Sequence, residues 1–215
     1  MAQIGFLFDL DGVLIDSESE YTKIWEEIDR HYPTGIPGFA SAIKGMTLDK
    51  ILDDYFPDRE IRPGVEHLLY KMEKEMTYRY APGVEDFIEL MIREGIPRAV
   101  VTSSNSDKMA HLFNDIPEFT ELFPVIIDSS KVSKSKPDPE GYILGASAID
   151  IPTRNCIVFE DSVQGVMAGH RAGASVVGIC GTKTAEELSP FSDILINDFG
   201  ELKMSQLKKL IDKQK

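Results

Sequence analysis

Three short stretches of this 215-residue chain place acids or hydroxyls directly after apolar runs, and a fourth, in the region that follows another such run, holds a lysine. The first is Phe6-Leu7-Phe8-Asp9-Leu10-Asp11-Gly12. Ile4 to Phe8 reads as one buried strand, and a buried strand that ends in two acids is costly unless something neutralises them. Side chains two apart on a strand share a face, so Asp9 and Asp11 can converge at its C-terminal end, the ligand side of open α/β sheets. Paired hard oxygen donors suit Mg²⁺, and one carboxylate can attack phosphorus while the other handles a proton.

Other readings of this stretch exist. Asp9, Asp11 and Glu20 fall at positions one, three and twelve of a calcium loop, but Val13 and Leu14 occupy the places that need a polar ligand and a glycine. Asp11-Gly12 is also compatible with a hairpin turn or a solvated loop.

The other three stretches follow later strands. Thr102-Ser103-Ser104-Asn105 follows Ala99-Val100-Val101, Lys136 lies in Ser135-Lys136-Pro137-Asp138-Pro139, and Glu160-Asp161 ends Cys156-Ile157-Val158-Phe159. Taken singly, the hydroxyls suit a helix cap, the lysine a surface, and the acids a loop. Together they form a set for phosphoryl transfer: hydroxyls to hold a phosphate oxygen, a lysine to offset its charge, and a second acid pair to complete a magnesium site with Asp9.

The elements that must carry these residues follow from pattern. Residues 3–9 form the first strand, and Ser17 with Glu20 reads as a capping box opening a helix to about Arg30, with Ile24, Trp25 and Ile28 on its apolar face. Residues 17–80 show only helix and loop signals, including a helix after Pro63-Gly64 carrying Val65, Leu68, Leu69, Met72 and Met76 at helical spacing. Ala81-Pro82-Gly83 breaks this region. After it, strand and helix alternate, with strands near 99–101, 125–128, 156–159, 176–179 and 194–196. Asp138-Pro139 is expected to open one helix, with Asp138 as cap, and Ser162 another. Alternation of this kind predicts an α/β fold, a Rossmann-like parallel sheet flanked by helices. The helical segment is too long for a simple connection, so it reads as a cap domain inserted after the first strand. The expected core is residues 1–15 and 82–215, and the expected cap residues 16–81.

Composition narrows the partners. A net charge of −13 disfavours nucleic acid and anionic membranes. No apolar run is long enough to span a bilayer and no basic region precedes an apolar one at the N-terminus, so a cytoplasmic protein is expected. Cys156 and Cys180 are expected as buried free thiols. His31, His67, His111 and His170 lack zinc-like spacing. The oligomeric state is not legible, and a monomer is compatible with all of this.

Asp9-Leu10-Asp11-Gly12-Val13-Leu14 with Asp16-Ser17-Glu18 resembles the first motif of the haloacid dehalogenase-like superfamily, in the branch of β-phosphoglucomutases and small sugar-phosphate phosphatases. The other three stretches fall in the order and spacing of that superfamily's remaining motifs, so the resemblance covers nearly the whole chain. It implies Asp9 as the nucleophile that becomes an aspartyl-phosphate and Asp11 as the general acid and base, its main-chain carbonyl on the metal. It implies Thr102 and Lys136 as phosphate-binding and charge-balancing groups, with Ser103, Ser104 and Asn105 beside the substrate, and Asp9, Asp11, Glu160 and Asp161 as the Mg²⁺ set. Asp11 argues against dehalogenation, since a halide leaves without a proton.

Departures from the mutases bear on the activity. Tyr21 stands where those enzymes carry a cap histidine, Met46-Thr47-Leu48 where an arginine follows the Lys44-Gly45 pair, and Asn105 where a lysine is usual. A mutase must grip a second phosphate, and hydrolysis need not. The expected activity is therefore a Mg²⁺-dependent phosphatase acting on a small phosphorylated metabolite such as a sugar phosphate, with Tyr21, Lys44 and Thr47 near the substrate. A β-phosphoglucomutase-like mutase and a non-catalytic metabolite-binding scaffold are the rival readings.

Overall fold

A computed structural model describes residues 3–43, 46 and 48–213. Contacts divide the chain into two compact units: residues up to Asp16 with those from Arg79 onward, and Ser17–Tyr78.

The first unit contains a six-stranded parallel sheet in the order β3-β2-β1-β4-β5-β6. Its strands are β1 (Gly5–Phe8), β2 (Arg98–Val101), β3 (Ile126–Ile127), β4 (Cys156–Glu160), β5 (Ser175–Ile179) and β6 (Ile194–Ile196). This is the doubly wound order, whose reversal between β1 and β4 opens a crevice at their C-terminal ends. Asp9 and Glu160 lie at that point.

Side-chain alternation explains why these strands are covered on both faces. Phe6 and Phe8 point to one side, where Phe8 stacks on Phe159 at 4.6 Å and Phe87 and Phe199 close the aromatic cluster. Leu7 points to the other, into a cluster with Val158, Val176, Tyr142 and Ala146.

The helices of the chain are α1 (Ser17–His31), α2 (Phe39–Ala42), α3 (Leu48–Tyr55), α4 (Arg62–Lys74), α5 (Val84–Arg93), α6 (Ser106–Asp115), α7 (Phe119–Leu122), α8 (Glu140–Ala148), α9 (Val163–Arg171), α10 (Ala185–Leu188) and α11 (Met204–Lys213). The first four make up the second unit, in which α1 packs on α2 and α4 and Trp25 meets Phe39 edge-on at 6.0 Å. Among its described residues there is no strand.

Some boundaries differ from the sequence expectation. Pro63 and Gly64 lie inside the first turn of α4, since a proline there forfeits no helical hydrogen bond. Likewise, α8 begins at Glu140 rather than Pro139, although Asp138 Oδ1 still accepts the Glu140 N–H at 3.0 Å. The capping box of α10, Thr184 with Glu187, was not anticipated. Cys156 is a buried free thiol as expected, whereas Cys180, just past β5, is only half-buried.

Candidate active site

β1 delivers Asp9 to the crevice, where the Asp9 N–H donates to the Phe159 carbonyl at 3.0 Å and extends the ladder by one residue. The chain then turns tightly, with the Leu14 and Ile15 N–H groups both donating to the Leu10 carbonyl at 2.9 and 3.0 Å. Gly12 makes the turn possible. Its φ is +73°, and a Cβ there would lie 2.1 Å from Asp161 Oδ2. The glycine of the first motif thus lets two strand ends approach.

Lys136 joins three of the four stretches. Its Nζ donates to Asp9 Oδ1 at 2.5 Å, to Glu160 Oε1 at 2.7 Å and to the Val101 carbonyl at 3.0 Å. It also lies 5.0 Å from the centre of the buried Tyr142 ring. Burial alone would lower its pKa, but Asp9 and Glu160 outweigh that and hold it well above the ordinary lysine value.

Glu160 is fully buried and densely hydrogen-bonded. Oε1 accepts from Lys136 and from the Tyr142 hydroxyl at 3.0 Å, while Oε2 accepts from the N–H groups of Asp161 and Ser162, both at 3.0 Å, and from Ser162 Oγ at 2.9 Å. Two of these donors come from the segment opening α9, where helix geometry favours an anion. Gly165 leaves room for this carboxylate, since a Cβ there would sit 1.7 Å from Oε1.

Asp161 is held by Thr182, whose Oγ1 donates to Oδ2 at 2.5 Å. Asp9, Glu160 and Asp161 each offer an oxygen within 4.8 Å of the others. Burial pushes Asp9 up to about 7 despite Lys136, with Glu160 adding to the rise. Burial, with Glu160 and Asp9, pushes Asp161 up to about 8 against the Thr182 hydrogen bond. Such shifts mark carboxylates crowded beyond what their cations balance. Among the described residues, the four acids Asp9, Asp11, Glu160 and Asp161 are paired with two lysines, Lys136 and Lys108, and this surplus of hard oxygen donors fits a divalent cation such as Mg²⁺.

The Thr102–Asn105 segment follows β2. Thr102 is buried, and its Oγ1 accepts the Ser104 N–H at 3.0 Å. Ser103 is exposed and, with Thr102, Lys136 and Tyr142, borders a small cavity of about 50 Å³. Ser104 Oγ donates to Asp11 Oδ2 at 2.9 Å, and Lys108 Nζ to Asp11 Oδ1 at 2.7 Å. Asn105 caps α6, accepting the Lys108 N–H at 2.9 Å.

The second unit has its own cavity of about 310 Å³, lined by Tyr21, Trp25, Ile51 and Leu69 with the carboxylates Glu18 and Glu73. The Tyr21 hydroxyl donates to Glu73 at 2.9 Å. Lys44 and Thr47 lie outside the described residues.

The structure therefore brings Asp9, Asp11, Thr102, Ser104, Lys136, Glu160 and Asp161 to one edge of the sheet, while Tyr21 belongs to the helical unit. Sequence reasoning missed Lys108, Tyr142 and Thr182. Thr182 was reachable, since it follows β5 as Thr102 follows β2. Lys108 carried a fainter signal as the third residue after the Asn105 cap. Tyr142 sits within a helix and carried none.

A doubly wound sheet with acids, a hydroxyl and a bridging lysine gathered at the C-terminal ends of its strands is the architecture of an α/β hydrolase. Residues 6–179 match the haloacid dehalogenase-like hydrolase family, and the chain belongs to it. It is 30% identical to validoxylamine A 7'-phosphate phosphatase of Streptomyces hygroscopicus subsp. limoneus over 92% of this chain and 94% of that one. It is 28% identical to hexitol phosphatase A of Escherichia coli over 81% and 82%. Its fold matches a HAD family hydrolase from Deinococcus radiodurans, with a TM-score of 0.82 at 22% identity and 97% of each chain covered. It also matches a β-phosphoglucomutase from Clostridium difficile, with a TM-score of 0.68 at 21% identity over 99% and 98%. At these identities the structural matches speak to the fold alone.

Proposed function

We propose that the protein is a Mg²⁺-dependent phosphatase that hydrolyses a small phosphorylated carbohydrate or polyol through an aspartyl-phosphate on Asp9. The observation that carries this is Lys136, bonded at once to Asp9 and Glu160 beside Asp161, in a cluster with more carboxylates than cations.

Asp9 attacks with the oxygen that Lys136 does not hold. As its bond to phosphorus forms, the bond from phosphorus to the leaving oxygen breaks, and Asp11 gives that oxygen a proton. A water then attacks phosphorus and passes its proton to Asp11, the Asp9–phosphorus bond breaks, and phosphate departs. Thr102 and Ser103 orient the phosphoryl oxygens, with Asn105 at the rim, and Lys136 offsets their charge. Asp9, Glu160, Asp161 and the Asp11 carbonyl would hold Mg²⁺, which as a Lewis acid draws charge from the phosphoryl oxygens. Glu160, fixed by its donors, keeps Lys136 in register.

The core domain is the unit up to Asp16 with the residues from Arg79 onward, a few residues off the expected bounds of 1–15 with 82–215 and 16–81, and Ser17–Tyr78 form the cap that selects the leaving group. The cap cavity, lined among the described residues by aromatic and apolar side chains and two carboxylates, suits a neutral polyol or an amine rather than a second phosphate. The names of the relatives point the same way: a validoxylamine phosphate phosphatase, a hexitol phosphatase and a phosphorylated carbohydrates phosphatase from Thermotoga maritima. Two free thiols are in keeping with a cytoplasmic setting.

The test is release of phosphate from a panel of sugar and polyol phosphates, with and without EDTA. Turnover should depend on Mg²⁺, and Asp9→Asn should lower kcat by at least about 10³-fold, or about 4 kcal/mol of barrier. Near wild-type turnover in that variant would exclude the covalent route.

A further inference from the structure

Among the described residues, the side-chain hydrogen bonds to the Asp11 carboxylate come from a single segment. Ser104 Oγ holds Oδ2 at 2.9 Å and Lys108 Nζ holds Oδ1 at 2.7 Å. Ser104 is itself pinned by its N–H on Thr102 Oγ1 at 3.0 Å. Lys108 is set by the Asn105 cap, which anchors its N–H at 2.9 Å in the first turn of α6. Residues 102–108 therefore carry the phosphate-binding hydroxyl and both donors to the acid–base carboxylate.

Lys136 cannot share this duty, because its three donors are taken by Asp9, Glu160 and the Val101 carbonyl. Nor is the Lys108–Asp11 pair a wholly exposed surface contact, with side chains 23% and 31% accessible. The position directly after the Thr-Ser-Ser run, where the mutases usually carry a lysine, holds Asn105, and the cation arrives three residues later through the helix that Asn105 caps.

We propose that Lys108 and Ser104 are positioning residues for proton transfer at Asp11. They fix the direction of its carboxylate and stabilise the negative charge that appears there as the proton leaves. The inference rests on Asp11 being the acid–base group. In the first half-reaction the proton passes from the Asp11 carboxyl to the departing oxygen while that oxygen's bond to phosphorus breaks. Asp11 is left an anion, already within reach of an ammonium and a hydroxyl. Donors preset at the point where charge develops need no reorganisation, which is the condition for electrostatic stabilisation.

The experiment compares wild type, Lys108→Met, Lys108→Arg, Ser104→Ala and Asp11→Asn on two esters. p-Nitrophenyl phosphate loses an anion stable enough to leave unassisted. Phenyl phosphate releases a phenol with a pKa of about 10, like tyrosine, and gains from protonation. The readout is kcat/KM, which reports the steps through P–O cleavage.

Lys108→Met should lose roughly 10- to 100-fold on phenyl phosphate, a part of what general acid catalysis supplies, and less than about 3-fold on p-nitrophenyl phosphate. Ser104→Ala should show a smaller loss of the same kind, and Lys108→Arg should recover most of it. A purely structural role would lower both esters together. Equal losses on the two esters, or none on phenyl phosphate, would overturn the proposal. Asp11→Asn separates the two layers of the argument. If it is selective for phenyl phosphate and Lys108→Met is not, only the role of Lys108 falls. If Asp11→Asn is not selective, the acid–base reading of Asp11 falls and the proposal with it.

Discussion

Asp9 and Asp161 carry the largest unmet electrostatic demand in the site. Burial raises them to about 7 and about 8, from an ordinary value of 3.8. Between the ordinary and the raised values the folded protein binds more protons than the unfolded chain. The slope of unfolding free energy with pH is then negative, so this contribution is present in full below about pH 4 and is lost as pH rises through 7 to 8. A bound divalent cation competes with those protons. The gain in melting temperature on replacing EDTA with Mg²⁺ should therefore be larger at pH 8 than at pH 5.5. Taking the difference at each pH cancels groups remote from the site. An equal gain at both values, or a larger one at pH 5.5, would show that these carboxylates are not where the ion binds.

At the scale of elements, short helices place the polar groups and their caps decide where they start. Asn105 caps α6 and Ser162 caps α9, each accepting a backbone N–H three residues on. The first sets Lys108 and the second contributes both its N–H and its hydroxyl to Glu160. Asn105→Ala should cost about 1 kcal/mol, since a lost cap leaves an orphan N–H. For a chain of this size that is a fall of about 2–4 °C in melting temperature. Asn105→Ser, which keeps a capping oxygen, should recover most of it. A thermal melt that cannot tell Asn105→Ala from wild type would mean the cap adds nothing to α6.

At the scale of the whole molecule, a phosphatase and a mutase differ in which acceptor finally takes the phosphoryl group. A mutase returns it to a sugar and must bind the non-reacting phosphate of a bisphosphate. Tyr21 stands at the position where the mutases carry a cap histidine, and its hydroxyl is bonded to Glu73. An acidic partner there disfavours a phosphate. Incubation with β-glucose 1-phosphate, Mg²⁺ and a trace of glucose 1,6-bisphosphate should therefore yield no rapid glucose 6-phosphate. Free phosphate, from this or a better ester in the panel, should dominate. Fast isomerisation with little phosphate released would assign the protein to the mutases.

Local pattern was enough to find the strand ends and the fold class. An apolar run of five residues that stops at an acid has few ways to be buried, which places Asp9 at a strand end, whereas Asp11 lies past β1 in the turn closed on the Leu10 carbonyl, where period-two alternation no longer applies. Regular alternation of helix and strand required a parallel sheet, and 60 or so residues of helix signal after the first strand required an insert. Strand order, by contrast, is set by how right-handed crossovers pack on both faces of the sheet, and only that order makes Asp9 and Glu160 neighbours across 151 positions of chain. The same holds for the groups that reading missed. Lys108 and Tyr142 lie on helices, where a side chain's reach depends on how the helix seats against the sheet, and Thr182 meets Asp161 only because β5 lies beside β4. Sequence alone determined which residues could carry chemistry, because their types and the strands before them are local properties. Tertiary structure decided which groups hold those residues in place, because hydrogen-bond partners are chosen by proximity in space.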